Sequence, residues 1–284
     1  MSNDTPGPDG DSLDLMFIPS ISEAQRRQLV TFRDALFAHN KTTNLTAVRD
    51  LEGIDRRLIL ESVRLVAPLR TVLDEQVSRR TSVLDIGTGG GLPGLVLAVA
   101  LPGVDVTLLD ATGKKIAFVQ RVIDDIGITN ARTIHDRAET IARDPALRST
   151  FDVAVARAVS SLPALIELGL PMVRLGGHLL LPKGTTIDDE LEAGKVAAGI
   201  VGGRIVSAAV LPDVGSEIET RLVIVRKTAP TPDAYPRRAG IPSRNPLGTN
   251  SRTAPSGAVN RHARVADPVI PTAVASSVSG SASE

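Results

Sequence analysis

The sequence of 284 residues has no cysteine and no tryptophan, and it holds one tyrosine and five phenylalanines. Without cysteine the chain can form neither disulfides nor thiolate zinc sites, and it cannot use a cysteine nucleophile. Its composition therefore suits a reducing compartment, and we expect no bound metal. Because few aromatic side chains are available for base stacking, any nucleic-acid binding must rest on phosphate contacts and on shape.

Long apolar runs are also missing, since the longest, at 95–101, is far too short for a membrane span. Residues 1–20 are acidic and rich in proline and glycine, and they have neither the basic start nor the apolar stretch of a secretory signal. We predict that these residues form a disordered N-terminus. The sequence thus predicts a cytoplasmic protein with no membrane partner, and we expect a monomer.

An excess of one charge is absent too, because 32 basic residues balance 32 acidic ones. The charges are unevenly spread: bases outnumber acids in residues 21–80 and in residues 228–284, whereas residues 81–227 are slightly acidic. Attraction for a polyanion must therefore come from the front of the chain and from its tail.

The first periodic segments are helical. Ser20 and Glu23 have the spacing of a capping box, and the helix predicted after them carries on one face Leu29, Phe32 and Leu36. Helical spacing predicts a second amphipathic helix through Leu51, Ile54, Leu58 and Leu65. Residues 21–80 are thus expected to form an N-terminal helical section.

From residue 81, short apolar runs alternate with helical stretches. The strands are predicted near 82–86, 105–109, 131–134, 152–156 and 178–181. The helices between them are predicted to begin near Leu92, Gly113, Ala138, Leu162 and Ile187. This alternation predicts a parallel sheet covered by helices on both faces. Two further runs, at 204–211 and 220–227, can add an antiparallel pair and bring the sheet to seven strands.

The composition changes after residue 227. Residues 228–247 are rich in proline and arginine and predict a basic, extended arm, since proline interrupts strand pairing. Residues 248–284 are rich in serine, alanine, threonine and glycine and predict a disordered tail.

The stretch VLDIGTGGGLPG follows the first predicted strand, and its glycines let backbone amides approach a ligand at a helix N-terminus. Two interpretations compete. The pattern G-x-G-x-x-G at 89–94, with Asp110 further on, fits the fingerprint of NAD-dependent oxidoreductases. Asp85, followed by Gly87 and Gly89 at alternate positions, fits the acid-glycine loop of S-adenosyl-L-methionine-dependent methyltransferases.

Three features favour the methyl donor. The Asp85 carboxylate would repel a pyrophosphate, but it can meet the cationic amino-acid end of S-adenosyl-L-methionine, directly or through water. The final antiparallel pair suits a seven-stranded methyltransferase sheet better than the six-stranded dinucleotide order. No Walker lysine follows the glycines, so a nucleoside triphosphate is disfavoured.

Acidic residues follow the next two strands. Asp110 ends the second strand, where its carboxylate can accept hydrogen bonds from both ribose hydroxyls or can cap the next helix. After the third strand, the backbone of Ala138 and the carboxylate of Glu139 can contact an adenine. Glu139 can equally serve only as a first-turn acid on a short helix.

The methyl acceptor is restricted by what the chain lacks. Pyrimidine carbon methylation generally uses a cysteine, and exocyclic amine methylation commonly uses an Asn- or Asp-Pro-Pro-aromatic loop, where this chain reads ARAVSSLP. Guanine N7 needs neither, because it attacks without prior deprotonation. Arg157, after the fourth strand, can hold the donor's carboxylate, an RNA phosphate or guanine O6, or can pair only with a nearby carboxylate.

Collinear motifs extend through the chain: NLTAV (44–48), LILESV (58–63), LDIGTGGGLPGLVLA (84–98), LLDATGKKIAFV (108–119), ARAVSSL (156–162), LPKG (181–184), TRLVIVRK (220–227) and YPRRAGIPSRNPL (235–247). Through these motifs the chain resembles the bacterial glucose-inhibited division protein B (RsmG) family, the 16S rRNA (guanine-N7)-methyltransferases. The resemblance implies a Rossmann-like α/β fold with a seven-stranded sheet, and a methyltransferase domain at residues 81–227. It implies methyl transfer from S-adenosyl-L-methionine to guanine N7 in 16S rRNA of the small ribosomal subunit.

The resemblance also implies donor contacts at Gly87, Leu92, Ala138, Glu139 and Arg157. Reasoning from the residues adds to these Asp85, Gly89 and Asp110. No catalytic residue is assigned, and Arg157 is a candidate for positioning. Candidate contacts to RNA include Arg56, Arg57, Lys183, Arg237 and Arg238. The alternatives left open are an NAD-dependent oxidoreductase and a non-catalytic RNA-binding assembly factor.

Overall fold

The computed structural model describes residues 21–73, 80–157, 160–184, 187–212 and 219–249. These residues all belong to one compact unit. The predicted disordered N-terminus lies outside the described residues, and so does the predicted disordered tail from residue 250 onward.

Seven strands form one sheet: β1 to β7 span Thr81–Ile86, Val104–Asp110, Ala131–His135, Phe151–Ala156, Val173–Lys183, Gly203–Val210 and Arg221–Lys227. Their order in the sheet is β3-β2-β1-β4-β5-β7-β6. Strands β1 to β5 pair in parallel, and β7 pairs antiparallel with β5 and with β6. The predicted seven-stranded sheet with a final antiparallel pair is therefore confirmed.

Strand β5 begins at Val173 rather than near His178. Gly176 has a φ of +80°, and the pairing of β5 with β4 shifts register between Phe151 and Val153. Glycines inside a strand weaken the apolar pattern and mark a bulge. The sequence pattern therefore reveals only the second half of this strand.

Ten α-helices occur in the described ranges: α1 to α10 span Glu23–Thr43, Leu51–Gly53, Glu61–Val63, Val66–Val72, Gly94–Ala100, Gly113–Ile126, Ala138–Ile141, Leu162–Gly169, Asp188–Ile200 and Ile241–Arg244. A π-helical segment, Ile54–Leu60, joins α2 to α3, and a 3₁₀ turn, Leu170–Met172, follows α8. The second helix predicted from periodicity is thus a run of short segments with π geometry at its centre.

Alternate residues of the strands contribute to two separate apolar cores. In β1, Val83 packs in the core that includes residues of α1, α5 and α6, while Leu84 and Ile86 pack in the core that includes residues of α8 and α9. Successive side chains of a strand point to opposite faces, so each face of the sheet needs its own cover. The prediction of helices on both faces is confirmed.

The N-terminus of α1 is capped by Ser22 and not by Ser20, so the predicted Ser20–Glu23 box is wrong. Ser22 Oγ accepts from the backbone N–H of Gln25, and Gln25 Oε1 accepts from the backbone N–H of Ser22. Gln25 Nε2 also donates to the carbonyl oxygen of Val99 at 2.7 Å. A glutamate has no such donor, so the amide both closes the box and ties α1 to α5.

A buried polar network joins the helical section to the loop between β6 and β7. Arg64 donates to Glu61 Oε1 at 2.6 Å, and the Thr220 hydroxyl donates to Glu61 Oε2 at 2.7 Å. Arg64 also donates to the carbonyl oxygens of Leu211 and Pro212. Because removing either charge would leave the other buried and uncompensated, this network fixes the two regions together.

The arm after β7 is held by two arginines that donate to its backbone. Arg143 binds the carbonyl oxygens of Asp233, Ala234 and Pro236. Arg148 binds those of Thr231, Pro232 and Tyr235. The arm then forms α10, so the prediction of a wholly extended arm is wrong at residues 241–244.

One ion pair fastens the arm to α8. Glu167 is fully buried, and its two oxygens accept from Arg237 Nε at 2.9 and 3.1 Å and from Arg237 Nη2 at 2.6 Å. The backbone N–H of Arg237 donates to Glu167 Oε1 at 2.8 Å. The carboxylate therefore depends on Arg237 for its charge compensation.

We predict that Arg237→Ala lowers the free energy of unfolding by about 3 kcal/mol, because it strands the buried Glu167 carboxylate. Arg238→Ala, at the exposed neighbouring position, is the matched control and is expected to change it by less than about 0.5 kcal/mol. Urea denaturation of both variants measures the difference. Equal effects of the two substitutions would contradict a role for Arg237 as the anchor of the arm.

Candidate functional site

The candidate site lies where β1 and β4 end side by side. Ile86 of β1 is paired with Ala156 of β4, so Gly87 and Arg157 leave the sheet next to each other. β1 lies between β2 and β4, and the strand order reverses here. In open α/β sheets, ligands bind beyond the carboxyl ends of the strands at such a reversal.

The glycine loop folds back onto β2. The backbone N–H groups of Gly87 and Thr88 donate to the carbonyl oxygen of Leu109 at 2.8 and 2.9 Å. Gly87, Gly89 and Gly91 have φ values of +70°, +59° and +95°, which side-chain-bearing residues rarely adopt. Leu92, at the end of the turn, is buried and donates its N–H to the carbonyl oxygen of Thr88 at 2.9 Å.

Three glycines of the loop make room for protein atoms. A Cβ on Gly90 would lie 2.8 Å from Leu36 Cδ1, and one on Gly91 would lie 2.5 Å from Leu95 Cδ1. A Cβ on Gly94 would lie 2.7 Å from Asp85 Oδ2. Gly94 therefore makes room for the Asp85 carboxylate, and sequence reasoning missed that Gly90 admits the Leu36 side chain of α1.

Asp85 is completely buried beneath the loop. Its Oδ2 accepts from the Thr88 hydroxyl at 2.6 Å and from the backbone N–H of Gly94 at 2.8 Å. Its Oδ1 is buried and has no hydrogen-bond partner within the described residues. Burial raises the pKa of Asp85 to about 6. A buried acceptor without a partner is costly, so Oδ1 is suited to a ligand that donates.

Arg157 points toward the π-helical segment. Its Nη1 donates to the carbonyl oxygen of Leu58 at 3.1 Å and to Ser62 Oγ at 3.3 Å. Its Nε and Nη2 have no hydrogen-bond partner among the residues that the structure describes. Burial lowers the pKa of Arg157, and the nearby carboxylates of Asp85 and Glu61 oppose this shift. Arg157 is thus a partly buried cation whose guanidinium has N–H groups to spare.

Asp85 and Arg157 are oppositely charged, and each has hydrogen-bonding groups without a partner in the described residues. Asp85 is paired with Val155 of β4, and Arg157 follows Val155 by two residues, just beyond the end of that strand. One offers a free carboxylate oxygen and the other offers free guanidinium N–H groups. This arrangement is complementary to an amino-acid zwitterion, whose ammonium donates and whose carboxylate accepts.

Asp110 ends β2 with both carboxylate oxygens on backbone amides. Oδ2 accepts from the N–H of Gly89 at 3.0 Å, and Oδ1 accepts from the N–H of Thr112 at 2.8 Å. Lys115 Nζ lies 3.9 Å from Oδ2. Each carboxylate oxygen retains further lone-pair capacity, so the group can still accept from the hydroxyls of a ribose.

Ala138 and Glu139 begin α7, after β3. Glu139 Oε1 accepts from the backbone N–H of Gly240 at 2.9 Å. The arm therefore reaches the predicted adenine-side residue. Sequence reasoning missed this contact because the two residues are 101 positions apart.

The predicted RNA contacts divide into two groups. Arg56, Arg57 and Arg238 are exposed, and Arg56 pairs only weakly with Glu52 at 3.3 Å. Lys183 Nζ lies 3.1 Å from Glu190 Oε2 and 3.1 Å from the carbonyl oxygen of Ser160.

Lys183 and Arg237 are thus each paired with a carboxylate, Lys183 with Glu190 and Arg237 with the buried Glu167. A phosphate would have to compete with a carboxylate for each of them, and their contact with RNA stays a prediction.

Within the described ranges, no helix has the combination of length and apolar character that crossing a membrane requires. In the same part of the chain, no cluster of three or more histidine, aspartate or glutamate side chains is arranged to hold a metal ion.

The family described as rRNA small subunit methyltransferase G matches residues 25–211. The Ribosomal RNA small subunit methyltransferase G of Chloroflexus aggregans is 41% identical over 227 residues, which cover 80% of this chain and 92% of that protein. The protein of the same name from Roseiflexus castenholzii is 38% identical, with 80% and 94% covered. That from Rubrobacter xylanophilus is 38% identical over 232 residues, with 79% and 86% covered. The chain therefore belongs to the rRNA small subunit methyltransferase G family.

Proposed function

We propose that this protein transfers a methyl group from S-adenosyl-L-methionine to N7 of a specific guanine in 16S rRNA. Membership of the rRNA small subunit methyltransferase G family supports the reaction class. The observation that carries the donor assignment is the pair of the buried Asp85 and the partly buried Arg157, with a spare hydrogen-bond acceptor on Asp85 and spare N–H groups on Arg157. The methionine end of the donor is a zwitterion of matching polarity.

The remaining donor contacts follow from the ends of the strands. Asp110 would accept from the ribose hydroxyls while it holds the Gly89 amide in place. The backbone of Ala138 and the side chain of Glu139 would meet the adenine, beyond β3. Gly87 and Leu92 would bound the amino-acid end at the two ends of the glycine loop.

The sheet argues against the dinucleotide alternative. Six-stranded dinucleotide sheets have the parallel order 3-2-1-4-5-6. Here β7 is inserted antiparallel between β5 and β6. The buried carboxylate of Asp85 also lies directly beneath the loop that would have to cradle a pyrophosphate.

Bound S-adenosyl-L-methionine supplies a methyl group on a sulfonium, and guanine N7 supplies a lone pair that needs no prior deprotonation. The protein therefore needs no general base, and it accelerates transfer by positioning and by electrostatics. Arg157 would hold the donor's carboxylate, while the π-helical carbonyl of Leu58 keeps the guanidinium at the edge of the sheet. No side chain has to be altered covalently.

Exposed cations flank the site on two sides and would contact rRNA phosphates. Arg56 and Arg57 lie on the same π-helical segment that supplies the Leu58 carbonyl to Arg157. Arg238 lies two residues before Gly240, which is bonded to Glu139. We propose that the RNA backbone lies across these two positions, with the target guanine between them.

The direct test incubates the purified protein with labelled S-adenosyl-L-methionine and 30S subunits from a strain that lacks the enzyme. We expect 7-methylguanosine in digested 16S rRNA. Calorimetry is expected to show binding of S-adenosyl-L-methionine and none of NADH, which serves as the control ligand. Absence of transfer to both 30S subunits and free 16S rRNA would refute the proposed function.

For Arg157→Ala we expect at least about a tenfold loss of donor affinity, because charge-assisted hydrogen bonds to the donor's carboxylate are removed. Arg157→Lys keeps the charge but loses the planar guanidinium, so its donor affinity is expected to lie between those of Arg157→Ala and the native protein. Donor affinity by calorimetry and stability by thermal unfolding are measured for both variants, with Arg27→Ala, at an exposed position of α1, as control. A large drop in stability with donor affinity retained would indicate a structural ion pair instead.

Asp85→Asn separates charge from shape. Burial raises the pKa of Asp85 from 3.8 to about 6, so its contribution to stability is present below pH 3.8 and is lost as the pH rises toward 6. Asparagine does not titrate and keeps one oxygen for the Thr88 hydroxyl and the Gly94 amide. The stability of Asp85→Asn relative to the native protein should therefore rise between pH 4 and pH 6 and then level off.

The same variant should bind the donor at least about tenfold more weakly at pH 7.5, because an amide N–H₂ faces the ammonium where Oδ1 stood. Urea denaturation across the pH range and calorimetry at pH 7.5 measure the two effects. Unchanged donor affinity would show that Oδ1 does not bind the ligand.

A further inference from the structure

The Glu139 carboxylate lies between the residues proposed to bind the methyl donor and the arm, residues 228–247. Glu139 is half-buried at the start of α7, and its Oε1 accepts from the backbone N–H of Gly240 at 2.9 Å. Its Oε2 has no hydrogen-bond partner within the part of the chain that the structure describes. Glu139 therefore has one oxygen committed to the arm and one available to a ligand.

The arm is attached to the body on either side of this contact. Before Gly240, Arg237 is bound to the buried Glu167 of α8. After it, the Ser243 hydroxyl lies 3.2 Å from the hydroxyl of Ser160, in the segment between β4 and α8. The backbone between these two attachments is thus held to α7 through Glu139.

The same stretch carries exposed positive charge. Arg238 and Arg244 are exposed, and the Arg244 guanidinium folds back to the carbonyl oxygen of Gly240 at 3.2 Å. Gly240 has a φ of +77°, so the chain turns sharply between the two arginines. The direction in which both arginines project depends on how this turn is held.

We infer that Glu139 is a positioning residue that couples methyl-donor binding to rRNA binding, by holding the Gly240 turn with Oε1 while Oε2 engages the donor's adenine. The inference rests on the proposed function for its two ligands. Donor binding would immobilise the carboxylate and hence the turn that carries Arg238 and Arg244. By linkage, bound RNA must then tighten donor binding by the same factor.

The size of the effect is bounded by ordinary coupling between sites. Couplings of this kind change affinity by at least about fivefold. We therefore expect 30S subunits lacking the methyl group to bind the native protein about fivefold more tightly when S-adenosyl-L-homocysteine is present. This product occupies the donor site and cannot transfer a methyl group, so binding is measured without turnover.

Two substitutions separate the two links. Glu139→Ala removes both and should give weaker donor binding, weaker RNA binding and no donor-dependent enhancement. Glu139→Gln keeps an oxygen for the Gly240 amide but replaces the second oxygen with N–H₂. It should bind RNA without donor as the native protein does, while its donor affinity falls.

Asp136→Asn is the matched control, because it neutralises a carboxylate just before α7 that accepts from its own neighbour, the N–H of Arg137 at 2.6 Å. It should keep the native enhancement. Thermal unfolding of all variants checks that each is folded before affinities are compared.

The inference is overturned if the native protein shows no donor-dependent change in RNA affinity, or if Glu139→Ala keeps that change. A loss of donor affinity alone in Glu139→Ala would make Glu139 an adenine ligand without a role in the arm. Failure of the proposed function gives a different result, because the native protein would then bind no S-adenosyl-L-methionine and would methylate no rRNA.

Discussion

The buried carboxylate of Asp85 is the constraint on which the site depends. It lies in β1, and it binds the Gly94 amide at the start of α5 and the Thr88 hydroxyl of the glycine loop. Glycine at position 94 is required because any Cβ there would collide with that carboxylate. The cost of burying the charge is offset in part by the hydrogen bonds from Thr88 and Gly94 and by the charge of Arg157. Because a buried oxygen without a partner is unfavourable, Oδ1 is suited to accept a hydrogen bond from a bound ligand.

The helical section before β1 contributes directly to the site. α1 places Leu36 against Gly90, and the π-helical segment supplies a carbonyl to Arg157. π-Helical turns are rare and are often found at functional sites, since they shift backbone carbonyls out of the regular ladder. The pair of Glu61 and Arg64 then locks this section to the loop between β6 and β7. The geometry around Arg157 is therefore set by regions far apart in the sequence.

The alternation of apolar runs was sufficient to locate all seven strands, although only the second half of β5, and to predict helices on both faces, because the central strands contribute side chains to an apolar core on each face of the sheet. Local patterns failed where a contact with a distant residue decides the outcome. Two overlapping capping boxes fit the start of α1, and Gln25 of the observed box also donates to the distant carbonyl of Val99, a contact that no local pattern reveals. For the site, the glycine spacing located the loop and Asp85. It could not show that Gly90 and Gly91 face protein side chains, or that Glu139 is bound to the arm.

The distribution of charged residues explains how a chain with no net charge can attract a polyanion. Several arginines are engaged in intramolecular contacts. Arg143 and Arg148 donate to carbonyl oxygens of the arm, and Arg237 forms an ion pair with the buried Glu167. These interactions place the arm beside the carboxyl edge of the sheet, where it presents Arg238. Arg56 and Arg57 are presented on the helical side of the same edge. Attraction for phosphate is thereby concentrated beside the residues proposed to bind the methyl donor, so under the proposed function the fold and not the overall composition selects where RNA would bind.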